Sequence, residues 1–156
     1  MLRKSFAVKK PIASVRIYAT GVGFYELYLN GNLVGDAVPS PGWTRYHTRV
    51  QYEVYDVTDF LRLGPNGLGM VLGYGWYKGI VGWNLDGHHY GDTWAAWLQL
   101  HVRYEDGTED VVVSDTSWKG AARVFYGRSR GLPASRRAVG VDRGRAGFHL
   151  DRAIQL

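Results

Sequence analysis

Apolar and polar residues alternate along most of the chain between Ile12 and Val113, with the two-residue period of half-buried β-strands. The alternation is clearest over residues 14–20, 24–29 and 94–104. The positions predicted to face inward are Val15, Ile17, Ala19, Tyr25, Leu27, Leu29, Ala96, Leu98, Leu100 and Val102. Shorter strands are predicted at residues 33–34, 50–55, 68–72 and 111–113.

Turn residues separate these runs. Asn30-Gly31 and Asp106-Gly107 each provide the positive φ that a tight hairpin requires. A polar start at residues 56–59 predicts one or two helical turns capped by Asp59, and the Gly64-Pro65-Asn66-Gly67 sequence is expected to end them. Many short strands separated by turn residues predict an all-β fold, an antiparallel β-sandwich or jelly roll with one short helix.

Residues 73–93 combine glycines with aromatic residues, and their composition predicts a long surface loop rather than a regular element. Aromatic rings suit the C–H faces of sugars, while neighbouring Asp or His side chains bond hydroxyl groups. The candidate carbohydrate-binding residues are Trp76, Tyr77, Trp83, Asp86, His88 and Tyr90. The alternative is that these rings pack under the loop or against a neighbouring domain.

Length and charge limit the other interpretations. The 156 residues contain no cysteine, so thiolate chemistry is excluded, and the net charge is +5. Residues 1–120 hold 11 Lys/Arg and 12 Asp/Glu, whereas residues 121–156 hold eight Arg and two Asp. We therefore predict a β-sandwich at 1–120 and a basic tail at 121–156, partly extended or disordered.

The position of these charges argues against nucleic acid as a partner, because no basic surface extends over the whole domain. Polyanion binding by the tail is the alternative. No apolar run is long enough for a membrane span and no signal peptide is recognised, so no membrane partner is expected and the localisation stays open.

Two pairs of carboxylates are candidates for catalysis, Asp86 with Asp92 and Asp56 with Asp59. Loop carboxylates commonly bond the nearby backbone, and no further acid or base accompanies either pair, so no catalytic residue is predicted. His88 and His89 suggest a metal site, but adjacent residues of an extended chain point in different directions. Exposed loop histidines are the favoured interpretation.

An ordered series of segments resembles the amino-terminal β-sandwich module of bacterial α-L-rhamnosidases of glycoside hydrolase family 78. The series covers roughly residues 3–118, beginning with Ala19-Thr20-Gly21-Val22-Gly23-Phe24-Tyr25 and continuing to Asn30-Gly31 and Asp36. Its later members are Pro41-Gly42-Trp43-Thr44-Arg45-Tyr46, Tyr55-Asp56-Val57-Thr58-Asp59-Phe60-Leu61, Leu72-Gly73-Tyr74-Gly75-Trp76-Tyr77, Tyr104-Glu105-Asp106-Gly107-Thr108 and Ser114-Asp115-Thr116-Ser117-Trp118. It ends near Gly127, where Arg128-Ser129-Arg130 departs from the family pattern.

The resemblance implies a galactose-binding-like sandwich that accompanies a catalytic helical barrel, which hydrolyses terminal L-rhamnose with inversion. The chain is then a fragment of a glycosidase, a non-catalytic accessory or carbohydrate-binding module. Its expected partners are a rhamnose-containing glycan or the barrel itself. The resemblance also makes Asp36 a candidate calcium ligand, although Ala37 beside it offers no side-chain oxygen. The alternative function is a structural or protein-interaction sandwich that packs on a neighbouring domain without binding sugar.

Overall fold

The computed structural model describes residues 1–36, 40–82 and 87–121, together with the backbone of Ile154–Gln155. Ten strands are assigned in these ranges: β1 (Leu2–Val8), β2 (Ile12–Val22), β3 (Phe24–Leu29), β4 (Asn32–Val34), β5 (Glu53–Asp56), β6 (Gly64–Gly73), β7 (Ala95–Tyr104), β8 (Glu109–Val113), β9 (Lys119–Gly120) and β10 (Ile154–Gln155). A 3₁₀ turn (Thr58–Phe60) and a helical turn α1 (Gly75–Lys78) complete the assigned elements. Most of the predicted basic tail lies outside the described residues.

The strands form two sheets in which all pairings are antiparallel. The first sheet has the order β4-β3-β6-β1-β9. The second sheet has the order β10-β7-β2-β5, and β8 also pairs with β7. The chain passes from the second sheet to the first at Gly23, between β2 and β3, where φ is 110°. The predicted antiparallel, jelly-roll-type β-sandwich is therefore confirmed.

The core lies between the inner faces of the two sheets, as expected for a sandwich. It contains the residues that the alternation assigned inward: Val15, Ile17, Ala19, Tyr25, Leu27, Leu29, Ala96, Leu98, Leu100 and Val102. Leu2, Leu68 and Met70 join them from β1 and β6. Asn30-Gly31 and Asp106-Gly107 close hairpins as predicted, with positive φ at Asn30, Gly31 and Gly107.

The short helical turn ends before residue 64, as predicted, and residues 64–67 begin strand β6, where the buried Asn66 side chain bonds the carbonyls of Arg62 and Gly64. Two local predictions are wrong. Residues 73–93 contain the helical turn α1. The 3₁₀ turn is stabilised by Asp56 instead of Asp59, since the Asp56 carboxylate accepts hydrogen bonds from the backbone N–H (3.1 Å) and hydroxyl (2.7 Å) of Thr58.

The predicted strand at residues 50–55 begins later than expected, at Glu53. Among the helices in the described part of the chain, none has the length and apolar character needed to cross a membrane.

Candidate functional site

The glycine- and aromatic-rich segment folds back on its own helical turn. The backbone N–H of Tyr90 donates to the carbonyl of Tyr77 at 3.3 Å, and the N–H of His88 donates to the carbonyl of Lys78 at 3.2 Å. Gly91 lies so close to Tyr77 that a Cβ atom there would approach the phenol oxygen to 2.4 Å. These contacts pack the return of the loop against α1.

Tyr77 and Tyr90 belong to a small aromatic cluster outside the main core. Tyr46 is fully buried, and its ring lies 5.3 Å from that of Tyr77 and 5.0 Å from that of Tyr90, both in edge-on geometry. Burial raises the pKa values of Tyr46 and Tyr77. Both phenols therefore stay neutral at physiological pH, and their rings fix the position of the loop.

Trp43 and Trp76 form the part of this region that reaches solvent. Their rings are stacked, with centroids 5.1 Å apart and planes 6° from parallel. Trp76 also contacts the Phe24 ring edge-on at 5.7 Å and packs against the cluster that contains Tyr46 and Tyr77. The indole N–H of Trp43 donates to the hydroxyl of Tyr90 at 3.2 Å. Trp43 remains 53% exposed, so one face of its ring is open to solvent while Trp76 packs on the other face and Tyr90 bonds its edge.

Polar side chains surround the same loop. His88 pairs with Asp92, and both side chains are exposed. The Lys78 ammonium donates to the Asp92 carbonyl at 2.6 Å and lies 4.8 Å from the ring centroid of Trp94. The ring of His47 lies 5.3 Å from that of Tyr90, which places an imidazole at the edge of the aromatic cluster.

Of the predicted carbohydrate-binding residues, the structure brings Trp76, Tyr77 and Tyr90 into one aromatic assembly and places His88 at the exposed side of the same loop. Tyr77 is buried and takes part in packing. Trp83 and Asp86 lie outside the described residues. The assignment of sugar contacts to this set stays a prediction.

Sequence reasoning did not single out Trp43 or Tyr46 as site residues. Both lie in the segment Pro41-Gly42-Trp43-Thr44-Arg45-Tyr46, whose only signal in the sequence is its resemblance to a family. The sequence shows only that a tryptophan and a tyrosine lie in a segment for which no strand or helix is predicted. Its proximity to residues 76–90 is a tertiary contact that no local pattern reports.

The predicted calcium ligand Asp36 is exposed and follows β4. Calcium requires six to eight oxygen ligands. The described residues contain no group of three or more His, Cys, Asp or Glu side chains that would hold a metal ion. Calcium binding at Asp36 stays a prediction.

Several carboxylates of the described ranges serve local structure. Asp56, Asp106 and Asp115 each accept hydrogen bonds from the backbone N–H and the hydroxyl of a Ser or Thr two residues further on. These bonds, with a Lys10 contact at Asp106 as the largest cause there, lower the pKa of all three groups. Each is thus held in its ionised form.

Two packed antiparallel sheets with an aromatic loop cluster at one end define a β-sandwich module. The family model described as the alpha-L-rhamnosidase N-terminal domain matches residues 10–125. The chain belongs to this family.

The similar proteins found are much longer than this chain. The α-L-rhamnosidase of Streptomyces avermitilis is 43% identical over 122 residues, which cover 78% of this chain and 12% of that protein. The crystal structure of that organism's enzyme complexed with L-rhamnose has a TM-score of 0.73 at 44% identity, covering 75% of this chain and 11% of the other. The α-L-rhamnosidase of Aspergillus terreus has a TM-score of 0.73 at 42% identity, covering 75% and 14%.

Proposed function

We propose that the chain is a non-catalytic accessory module of an α-L-rhamnosidase and that it holds terminal L-rhamnose against the ring of Trp43. The observation that carries the proposal is the exposed face of Trp43, stacked at 5.1 Å on Trp76. The similar Streptomyces avermitilis enzyme was crystallised with L-rhamnose, which supports the choice of sugar.

The stack favours a planar ligand because the ring is already fixed. Trp76 packs on one face of Trp43, and the indole N–H of Trp43 donates a hydrogen bond to Tyr90. Little side-chain entropy is then lost when a ligand settles on the outer face. The apolar side of a pyranose, made of C–H groups, suits such a surface.

Polar groups at the rim of the cluster suit the hydroxyl groups of a sugar. His47 contacts Tyr90 and is exposed. The loop that carries Trp43 and His47 is held by a hydrogen bond from the Thr44 hydroxyl to the Arg49 carbonyl at 2.6 Å. An apolar platform with a few polar groups at its edge is the usual composition of a ligand site.

The carboxylates support the non-catalytic part of the proposal. Inverting glycoside hydrolysis needs one protonated carboxyl group and one ionised carboxylate about 6.5–9.5 Å apart. Asp56, Asp106 and Asp115 have lowered pKa values, the opposite of what a general acid requires. In the described residues the Asp92 and Glu109 carboxylates are paired with His88 and His101.

A second function, packing against a neighbouring domain, is favoured by a different observation. Tyr74 and Ile80, in the same loop region, are 55% and 66% exposed. Exposed apolar residues grouped near one another are typical of interfaces. The chain spans only 11–14% of the two α-L-rhamnosidase structures compared above, so further domains are available as partners.

Calorimetric titration of the chain with L-rhamnose tests the proposal. We expect a Kd on the order of 0.1–1 mM, as for a single monosaccharide on one platform. Trp43→Ala should weaken binding at least tenfold, because the ring that covers the sugar is removed. Running the titration in calcium and in EDTA tests the separate calcium prediction for Asp36, and the same samples should not hydrolyse an aryl rhamnoside above buffer.

Tyr52→Ala is the matched control, since Tyr52 is 56% exposed and lies outside the aromatic cluster of Trp43, Tyr46, Trp76, Tyr77 and Tyr90. It should bind rhamnose as the parent chain does. A flat isotherm for rhamnose would reject the sugar-binding role and favour the packing function. Turnover of the rhamnoside would reject the non-catalytic role.

A further inference from the structure

We propose that the outer face of the second sheet binds a sugar acid, a pyranose that carries a carboxylate. This face, opposite to the core, contains a shallow cavity of about 220 Å³. Its lining residues are Ser14, Arg16, Tyr18, His101, Arg103 and Glu109. The cavity is smaller than the roughly 300–1,000 Å³ of sites for drug-sized ligands and suits one sugar ring.

Strand register places two guanidinium groups together on this face. Arg16 on β2 lies directly opposite His101 on β7. Arg103 follows His101 by two residues on β7 and therefore points to the same side of the sheet. Diagonal neighbours on adjacent strands are within reach of long side chains. Arg16 and Arg103 are both exposed.

Each arginine has a carboxylate opposite it in the strand register, and each of these carboxylates also bonds another group. Arg103 pairs with Glu109 in the β7–β8 ladder, but the Glu109 carboxylate contacts His101 Nδ1 at 2.5 Å. Arg16 pairs with Asp56 in the β2–β5 ladder, but the Asp56 carboxylate accepts two hydrogen bonds from Thr58.

Neither guanidinium group takes part in an ion pair within the described ranges, so both can contact an external anion. The ion pairs within the described ranges are Lys4–Asp115, Lys10–Asp106, His88–Asp92 and His101–Glu109, and neither arginine takes part in them. The charge of Arg16 acts on Asp56 only as the smallest contribution to its lowered pKa. Guanidinium groups bind carboxylates through parallel N–H donors, so the pair suits the carboxylate of an acidic sugar.

An aromatic ring in the same cavity distinguishes a sugar acid from a simple acid. The Tyr18 ring contacts the His101 ring edge-on at 5.4 Å and the Tyr52 ring at 6.3 Å, so its orientation is fixed. A ring beside two arginines offers a pyranose both a surface for its C–H groups and donors for its carboxylate. An acidic side chain of a protein partner would use only the arginines.

The test is titration of the ¹⁵N-labelled full chain, followed by amide chemical shifts, with D-galacturonate and D-glucuronate as probes. We expect at least one of them to bind with a Kd of about 1 mM and to shift amides of β2 and β7. D-galactose and acetate should bind at least tenfold more weakly, because each lacks one half of the recognition.

Arg16→Gln/Arg103→Gln should weaken uronate binding at least tenfold. Arg3→Gln is the matched control, an exposed arginine on β1 of the other sheet, and should bind as the parent chain does. Retained amide dispersion in the double variant shows that it is folded, and Tyr18→Ala, with a loss of fivefold or more, provides a second test of the cavity.

Absence of uronate binding, equal binding of acetate or of a tri-glutamate peptide, or an unchanged Kd in the arginine double variant would each overturn the proposal. The result is independent of the rhamnose site. Trp43→Ala should leave uronate binding intact, and failure of rhamnose binding would not affect this outcome.

Discussion

At the scale of single residues, the buried side chain of Asn66, which is 4% exposed, makes four hydrogen bonds. Its Oδ1 accepts from Asn30 Nδ2 at 2.7 Å and from the Arg62 N–H at 3.2 Å. Its Nδ2 donates to the carbonyls of Arg62 at 2.7 Å and Gly64 at 2.9 Å. One amide thus joins the β3–β4 hairpin to the start of β6.

Asn66→Ala should lower the free energy of unfolding by about 2–4 kcal/mol, because four hydrogen bonds of a buried side chain are lost at once. Urea denaturation followed by tryptophan fluorescence measures the change. Asn32→Ala is the control, since Asn32 is exposed in the hairpin, and it should change stability by less than about 0.5 kcal/mol. Equal losses in the two variants would contradict the structural role of Asn66.

The same residue shows where sequence reasoning reached its limit. Gly64-Pro65-Asn66-Gly67 indicates the end of a helical turn, and nothing local indicates that the same residues begin a strand whose Asn66 amide bonds Asn30 in another strand connection. Trp43 was missed for a related reason. Its importance depends on a stacking partner, Trp76, that lies 33 positions away in the sequence.

At the scale of elements, the connection between β2 and β3 is among the most constrained parts of the sandwich. Gly23 has φ of 110°, and a Cβ atom there would lie 2.2 Å from the carbonyl oxygen of Gly73. Gly64, at the start of β6, also has positive φ, 87°, but a Cβ atom there would meet nothing within 4 Å. Substituting each glycine by alanine therefore distinguishes the cost of a positive φ alone, at Gly64, from that cost plus a steric clash, at Gly23.

Gly64→Ala should cost about 1–2 kcal/mol of stability through the left-handed conformation alone. Gly23→Ala should cost about 1–3 kcal/mol more, because the new methyl group forces the backbone of β6 to move. Thermal unfolding of both variants under identical buffer conditions provides the comparison. Equal melting temperatures would show that the crossing at Gly23 tolerates displacement.

Element prediction succeeded where one face of a strand is buried and the other is not. Val15, Ile17 and Ala19 alternate with polar residues, and this period alone gives both the strand and its orientation. The predicted strand at 50–55 was too long, because Tyr52 and Val54 are exposed and only residues 53–56 pair with β2. The α1 turn was missed because a tertiary backfold, rather than helix propensity, stabilises it.

At the scale of the whole molecule, three aspartates hold connections in different parts of the sandwich by the same arrangement. Asp56, Asp106 and Asp115 are each followed two residues later by Thr or Ser, which supplies a backbone and a hydroxyl donor. Two of them also contact lysines near β1, since Lys10 bonds Asp106 at 2.8 Å and Lys4 bonds Asp115 at 3.4 Å.

These contacts give stability a defined dependence on acid. In the folded chain the pKa values of the three carboxyl groups lie below the ordinary value of 3.8. The unfolded chain therefore takes up protons first as the pH falls, so the stabilisation is complete above the unfolded pKa and is lost on further acidification. The urea midpoint should therefore fall from pH 5 to pH 3.

Asp106→Asn should flatten this fall in the urea midpoint, because it removes the carboxylate that contacts both Lys10 and Thr108. Thr108→Val retains the contact between Lys10 and Asp106 and should give an intermediate slope. An Asp106→Asn slope equal to that of the parent chain would show that this turn does not contribute to the acid sensitivity of the sandwich.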